Sequence, residues 1–237
     1  MLNAPSPSLA IQVKNVALSY PKKRSFHSKG VEKFWALKEI SFDIPEGTIL
    51  GIVGENGAGK STLLSLLAGI LKPDQGSVLH QKGLRTTLLS LQAGFSPHLT
   101  GRDNIRISGL LLGMSKTQVE ERMEAMVSLA DIGPFIDQPL RTYSTGMKAR
   151  LGFATAYHTD ADVMLLDEVF AVGDLDFSNK AQALMEKKIN DDKTVVMVSH
   201  GEYLLKQLCE NLVWIKDGVI AAHGPTQDVW EAYQHGK

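Results

Sequence analysis

The chain has little cysteine and no excess of either charge. Cys209 is the single cysteine among 237 residues, so the sequence can form no internal disulfide and suits a reducing compartment. With 25 basic and 26 acidic side chains, it has no electrostatic footprint for nucleic acid, and we expect no nucleic-acid partner. No apolar run approaches the roughly 18 residues of a membrane span. Residues 1–10 lack a secretory signal, so we expect synthesis and retention in the cytosol.

The hydrophobic pattern predicts an α/β fold. No linker or repeat divides the chain, which predicts one domain over 1–237. Alternation of apolar and polar residues over Ile11–Tyr20 and Ala36–Ile44 indicates half-buried strands of an antiparallel edge layer. The continuous apolar runs Val163–Leu166 and Thr194–Val198 are typical of a parallel core sheet buried on both faces.

A helical subdomain is expected over about residues 99–158. Ser115 and Gln118 have the spacing of a capping box, in which each side chain satisfies a backbone amide of the other residue. Apolar residues then recur at helical spacing, namely Val119, Met123, Met126, Val127 and Ala130. We interpret the methionines as core residues and not as ligands.

Residues Gly54–Ser61 read G-E-N-G-A-G-K-S, between an apolar strand-like run and a helix-like run starting at Thr62. Glycines let successive backbone amides point at phosphate oxygens, and the helix start favours negative charge. Lys60 adds a full positive charge, and Ser61 offers a hydroxyl to Mg²⁺. The pattern therefore predicts a phosphate-binding P-loop, and a structural glycine turn is the alternative. The predicted contact residues are Gly54, Glu55, Asn56, Gly57, Ala58, Gly59, Lys60, Ser61 and Thr62.

Two adjacent carboxylates, Asp167 and Glu168, follow the apolar run Val163–Leu166. In a doubly wound sheet, strand ends of this kind meet the ligand. Asp167 is predicted to hold Mg²⁺ through its coordinated waters, and Glu168 to polarise the attacking water in catalysis. Taken alone, the pair fits solvated acids at a strand end better, but the P-loop upstream in the same chain favours the functional interpretation.

A third predicted strand, Thr194–Val198, delivers His200 to the same edge, where a neutral imidazole could hydrogen-bond a γ-phosphate. A surface histidine is the alternative. Residues 143–148 precede a predicted helix over Ala149–Tyr157, and Ser144 is the predicted N-cap. That helix start is either an ordinary capping turn or a second anion-binding terminus.

The order of these motifs resembles the ATP-binding subunit of ATP-binding-cassette (ABC) transporters, from about Ile11 to Gly224. The resemblance implies a P-loop ABC ATPase fold with ATP and Mg²⁺ as ligands. In the family the signature reads L-S-G-G-Q, whereas this chain has Y-S-T-G-M at residues 143–147. The residues at the signature helix start, implied to contact the γ-phosphate, are Ser144, Thr145, Gly146 and Met147.

Three segments are similar to a narrower group, the ATPases of two-component exporters of O-antigen, capsular polysaccharide and teichoic acid. They are Leu91–Ile105, residues 143–154 and Leu166–Asp174. The resemblance further implies that Gln92 contacts Mg²⁺ and that the ring of Tyr20 stacks on adenine. It also implies that Asp174 faces an opposite subunit.

The implied assembly is a homodimer that sandwiches ATP, with two copies of an integral membrane permease. We expect it at the cytoplasmic face of the inner membrane, where exposed apolar residues such as Phe95 would meet permease loops. The basic and aromatic segment Pro21–Trp35 is either a solvated loop or a contact for the anionic head of a lipid-linked glycan. With the sequence ending at Lys237, we expect no carbohydrate-binding domain after the cassette. Alternatives are an ABC ATPase for another substrate and a soluble, non-transport ABC ATPase.

Overall fold

The computed structural model describes residues 8–22, 33–167, 174–189 and 193–236. Glu168 and residues 23–32 of the predicted Pro21–Trp35 insertion lie outside these ranges. Within them the strands are β1 Leu9–Pro21, β2 Lys33–Pro45, β3 Ile49–Val53, β4 Gln75–His80, β5 Thr86–Leu89, β6 Val163–Asp167, β7 Thr194–Val198, β8 Asn211–Lys216 and β9 Val219–Pro225. The α-helices are α1 Lys60–Leu67, α2 Gly101–Leu111, α3 Lys116–Ala130, α4 Thr145–Tyr157, α5 Leu175–Ile189, α6 Glu202–Leu208 and α7 Thr226–His235.

The antiparallel layer has the strand order β2-β1-β4. Strands β1 and β2 pair from Leu9 opposite Pro45 to Pro21 opposite Lys33, with several shifts of register between. Val16 and Ile40 form one of the pairs and are fully buried. The predicted antiparallel edge layer is therefore confirmed.

A six-stranded sheet has the order β5-β6-β7-β3-β8-β9. Strand β3 pairs in parallel with β7 and with β8, and β8 pairs antiparallel with β9. The turn between β8 and β9 contains Asp217 and Gly218, both with positive φ. All five residues of β7 are buried, as expected for a strand in the middle of a covered sheet. The predicted parallel core sheet is confirmed.

The chain divides into two compact units. Unit 1 comprises Met1–Thr86, Val163–Leu165 and Asp192–Lys237, and unit 2 comprises Thr87–Asp162 and Leu166–Asp191. The division falls inside β5 and β6. Helices α2, α3 and α4 belong to unit 2, as does α5.

Unit 2 has a helical core to which α2, α3 and α4 contribute. Met123 and Met126 are buried in this core, which confirms their interpretation as packing residues. The capping box at the start of α3 is also confirmed, because Ser115 accepts from the amide of Gln118 at 3.2 Å while Gln118 accepts from that of Ser115 at 2.8 Å. The local sequence therefore places the start of α3 correctly.

Phe95 corrects one expectation from the sequence. The side chain is partly buried against the helical core of unit 2 and is not an exposed apolar residue. Leu110 and Leu111, at the end of α2, are exposed by 51% and 63%. The prediction was wrong because the turn that contains Phe95 folds back onto the helices, which hydrophobicity alone does not reveal.

Among the described residues, no helix is both long and apolar enough to cross a bilayer.

Candidate functional site

The predicted P-loop connects β3 to α1 in unit 1. Gly57 and Gly59 have φ of 84° and 108°, in the left-handed region that glycine adopts without steric cost. A β-carbon on Gly59 would also stand 2.6 Å from the carbonyl oxygen of Ala36 on β2. The loop therefore has the backbone that the glycine pattern predicts, with Glu55, Asn56 and Gly57 exposed.

Lys60 is the first residue of α1, two residues earlier than the helix start predicted from the sequence. Only 7% of the residue is exposed. The ammonium group donates to the carbonyl oxygens of Gly54 and Glu55, each at 2.9 Å. These bonds hold the charged group across the inside of the loop.

The N-terminus of α1 fits an anion. Its N-cap is Gly59, no side chain accepts a hydrogen bond from the first turn, and that turn has no acidic residue. Most helices satisfy these amides with a Ser, Thr, Asp or Asn side chain. A helix start without such an acceptor, with a lysine in its first turn, is suited to a phosphate group.

Tyr20, near the end of β1, lies beside the first turn of α1. Its hydroxyl is 3.5 Å from that of Thr62, and the residue is 40% exposed. The preceding residue is fixed, because the amide and hydroxyl of Ser19 donate to Asp74 at 2.9 and 2.6 Å. These bonds lower the pKa of Asp74. The structure therefore brings Tyr20 and Thr62 together, as a site around the P-loop requires.

His200 follows β7, which pairs in parallel with β3. Because parallel neighbours end at the same edge of a sheet, His200 and the P-loop lie at one edge of unit 1. The residue is exposed. Its predicted position at a strand end is confirmed, while its contact with a γ-phosphate stays a prediction.

In unit 2, Asp167 is the last residue of β6 and is partly buried. Its carboxylate and the exposed hydroxyl of Ser61 in unit 1 are oxygen donors, the ligand type that Mg²⁺ prefers. The donor chemistry of the predicted residues therefore suits this ion.

The signature segment starts α4, also in unit 2. Ser144 is the N-cap, and its side chain accepts from the amide of Met147 at 3.2 Å, so the predicted cap is confirmed. The helix begins at Thr145 and not at Ala149 as predicted, because the Ser144 cap starts the helical turn directly after itself. Ser144 and Thr145 are exposed, whereas the side chain of Met147 packs partly against the helical core. Gly146 has room for a side chain, since a β-carbon there would meet only the Ser144 hydroxyl, at 3.8 Å.

Gln92 lies in a turn of unit 2 and is exposed. The residue before it rests directly on α4, because a β-carbon on Gly152 would stand 1.5 Å from the carbonyl oxygen of Leu91.

Asn104, which holds the neighbouring loop in place, was not predicted from the sequence. The side-chain Nδ2 of Asn104 donates to the carbonyl oxygens of Ser96, Leu99 and Thr100, and its Oδ1 accepts from the backbone amide of Ser96. The feature of the sequence that could have indicated this role is the position of Asn104 in the first turn of a helix capped by Thr100.

Arg150 was also missed as a link between helices of unit 2. Its guanidinium bonds to Asp174 and to the carbonyl oxygen of Asp131, and it lies 4.9 Å from the ring centre of Phe177. Asp174 also accepts from the amide of Phe177 at 3.0 Å, and this bond, with that from Arg150, lowers the pKa of its carboxyl. The predicted role of Asp174 toward a second subunit stays a prediction.

Comparison with known proteins identifies the class. The ABC transporter family matches residues 37–171, which include the P-loop, the signature segment and Asp167. This chain belongs to the ABC transporter family, whose domain is a nucleotide-binding one. The predicted fold class and the family resemblance are both confirmed.

Particular relatives are export ATP-binding proteins. The chain is 37% identical over 217 residues to the O-antigen export system ATP-binding protein RfbB of Klebsiella pneumoniae, covering 92% of this chain and 88% of that protein. It is 39% identical over 206 residues to the teichoic acids export ATP-binding protein TagH of Listeria monocytogenes serotype 4b (strain F2365), covering 87% of this chain and 61% of TagH. The chain thus spans less than two thirds of the length of some curated relatives. The names of these relatives agree with the narrower resemblance.

Solved structures agree with the fold. The dimeric structure of a post-hydrolysis state of the ATP-binding cassette MJ0796, bound to ADP and Pi, matches with a TM-score of 0.72. Its sequence is 24% identical, and the match covers 91% of this chain and 98% of that one. At this identity the likeness is one of fold.

Proposed function

We propose that this chain is the ATP-hydrolysing subunit of an ABC exporter that moves a lipid-linked polysaccharide across the cytoplasmic membrane. The observation that carries the proposal is the uncapped start of α1 with Lys60 turned into its glycine loop. The similarity to an O-antigen export protein over 88% of that protein's length supports the cargo class. O-antigen, capsule and teichoic acid are the candidate cargoes.

In this proposal, the chain forms a single cassette over 1–237, with a helical subdomain at about 99–158. The amides of α1 and Lys60 neutralise the phosphates of ATP, and Tyr20 contacts adenine. Ser61, Asp167 and Gln92 hold Mg²⁺, which offsets negative charge on the phosphates when bound. Glu168 orients and polarises the attacking water, and His200 hydrogen-bonds the γ-phosphate.

The proposed assembly is a homodimer in which the signature residues Ser144 to Met147 of each copy face the P-loop of the other. ATP favours this closed dimer because it contacts both copies, and hydrolysis removes that preference. Two copies of a separate permease convert the cycle into transport, with the cassettes at the cytoplasmic face of the membrane. Residues of the Pro21–Trp35 segment are candidate contacts for the glycan head.

The test is the substitution Glu168→Gln, with Glu210→Gln as an exposed control. We expect Glu168→Gln to abolish steady-state hydrolysis while ATP still drives dimerisation, measured by phosphate release and by sedimentation. The control should keep both properties. Full hydrolysis in Glu168→Gln would contradict the assignment of the base.

Partner and cargo are tested separately, first by co-purification with an integral membrane protein from cells that express the chain. The reconstituted complex should hydrolyse ATP faster in the presence of a lipid-linked glycan. If ATP is hydrolysed but no glycan stimulates the complex, the ATPase assignment stands and the cargo assignment fails.

A further inference from the structure

Two large aromatic side chains stand opposite each other at one end of the β1–β2 ribbon. Tyr20 of β1 is the direct partner of Phe34 of β2. Side chains of directly opposed residues in an antiparallel pair project from the same face of the sheet. Tyr20 is 40% exposed and Phe34 is 54% exposed. The ribbon end therefore presents two neighbouring rings to solvent.

This ribbon end is attached to the P-loop by both of its strands. On β2, the carbonyl oxygen of Ala36 lies so close to Gly59 that a β-carbon there would approach it to 2.6 Å. On β1, the hydroxyl of Tyr20 is 3.5 Å from that of Thr62 in the first turn of α1. Both rings therefore lie on the end of the β1–β2 pair that contacts the phosphate-binding loop, and both lie in unit 1.

The neighbours of the two rings are fixed. Ser19, next to Tyr20, is bound through its amide and hydroxyl to Asp74 at 2.9 and 2.6 Å. Trp35, next to Phe34, is partly buried opposite Ser19 and carries the ammonium of Lys33 at 5.9 Å from its ring centre. The backbone on each side of the pair is therefore held in place before any ligand arrives.

We propose that Phe34 is a second base-contacting residue, which acts with Tyr20 to hold the purine of the bound nucleotide. The inference rests on the proposed ATP binding and goes beyond it, since it assigns part of the base affinity to β2. Phosphates held at the start of α1 leave the base free to extend past Thr62 toward the ribbon end. Aromatic faces that are exposed and preorganised there suit stacking on a base.

The experiment measures dissociation constants of the full chain for Mg-ATP and for Mg-tripolyphosphate, which has no base. The variants are Phe34→Ala, Tyr20→Ala, the double variant and Phe34→Trp. Leu79→Ala is the matched control, because Leu79 is a 49% exposed apolar residue on β4 of the same sheet. Circular dichroism melting verifies that each variant folds.

We expect Phe34→Ala to weaken ATP binding by about 5- to 50-fold while tripolyphosphate binding changes by less than about twofold. Phe34→Trp should restore ATP affinity, and Leu79→Ala should leave it unchanged. If the two rings hold one base, the double variant should lose less affinity than the product of the two single losses.

The outcomes separate this inference from the proposed function. If the wild-type chain binds neither ATP nor tripolyphosphate, the proposed function fails. If ATP binds and Phe34→Ala binds it as tightly as wild type, only the inference is overturned. Vesicles with anionic lipid provide a further arm: loss of vesicle binding in Phe34→Ala, with ATP affinity intact, would assign the ring to the membrane and overturn the inference.

Discussion

Lys60 shows how one side chain prepares a loop for its ligand. Its ammonium group donates to two carbonyl oxygens of the same loop, those of Gly54 and Glu55. Hydrogen bonds of a charged group are worth about 1.5–3 kcal/mol each when made inside a protein. The positive charge is therefore held inside the loop, and a side chain fixed in this way loses less conformational freedom on binding a phosphate.

His158 is a residue whose charge state affects the stability of unit 2. Its Nδ1 is 2.8 Å from the carbonyl oxygen of Ala154, which can only accept, so the nitrogen donates. Burial is the main cause that lowers the pKa of the imidazole below its usual value. A lowered folded-state pKa means that this contribution to stability is present above the unfolded pKa, about 6.5, and is lost as pH falls through the folded pKa.

We therefore expect His158→Asn, which can still donate to Ala154, to lose less stability than the wild type between pH 7.5 and 5. The measurement is the urea midpoint at the two pH values. His235→Asn, an exposed histidine of α7, is the control and should follow the wild-type dependence. Equal pH dependence in all three proteins would refute the assignment. His80 and His223, whose pKa values partial desolvation also lowers, account for a remaining slope.

At the scale of elements, the contact between α4 and the Leu91 turn depends on the absence of one methyl group. A β-carbon on Gly152 would overlap the carbonyl oxygen of Leu91, at 1.5 Å, although helix formation by itself favours alanine over glycine. The close approach is a backbone contact, so no side-chain rotation can relieve the overlap. The turn that includes Gln92 therefore packs directly on α4 within unit 2.

Gly152→Ala should destabilise the chain by about 1–3 kcal/mol, as overpacking in a core does. Gly146→Ala, on the same helix, is the matched control, because a β-carbon there meets only the Ser144 hydroxyl at 3.8 Å. The control should be neutral or slightly stabilising. Free energies of unfolding from urea titrations decide the matter. A Gly152→Ala protein as stable as Gly146→Ala would show that the turn moves away without cost.

For the whole molecule, the proposed dimer makes a complementation experiment possible. Lys60→Ala disables the P-loop, and Gly146→Asp places a carboxylate where a γ-phosphate would approach α4 while leaving the helix intact. Each variant alone should have almost no ATPase activity. In an equal mixture, half of the dimers are mixed, and each mixed dimer has one intact site out of two. We expect the mixture to recover about a quarter of wild-type activity. No recovery after subunit exchange would argue against shared sites.

How much of the molecule was readable from its sequence depends on whether a feature is local. The capping box at Ser115 and the cap at Ser144 were predicted because a few neighbouring residues determine them. The pairing of Tyr20 with Phe34 was not, because β1 and β2 change register several times between Leu9 and Ser19. The sequence also did not predict the burial of Phe95 or the contact of Leu91 with Gly152, because residues distant in sequence create both.

Arg150 joins its own helix α4 to two others in unit 2, to α3 through the carbonyl oxygen of Asp131 and to α5 through Asp174 and Phe177. A planar, forked cation can satisfy two oxygens and stack on a ring together, whereas lysine can act only as a point charge. Replacement of Arg150 alone therefore leaves its partners without these contacts. Relatives that have lost the arginine should also differ at Asp174, whose carboxylate it binds, so these two positions should vary together across the family.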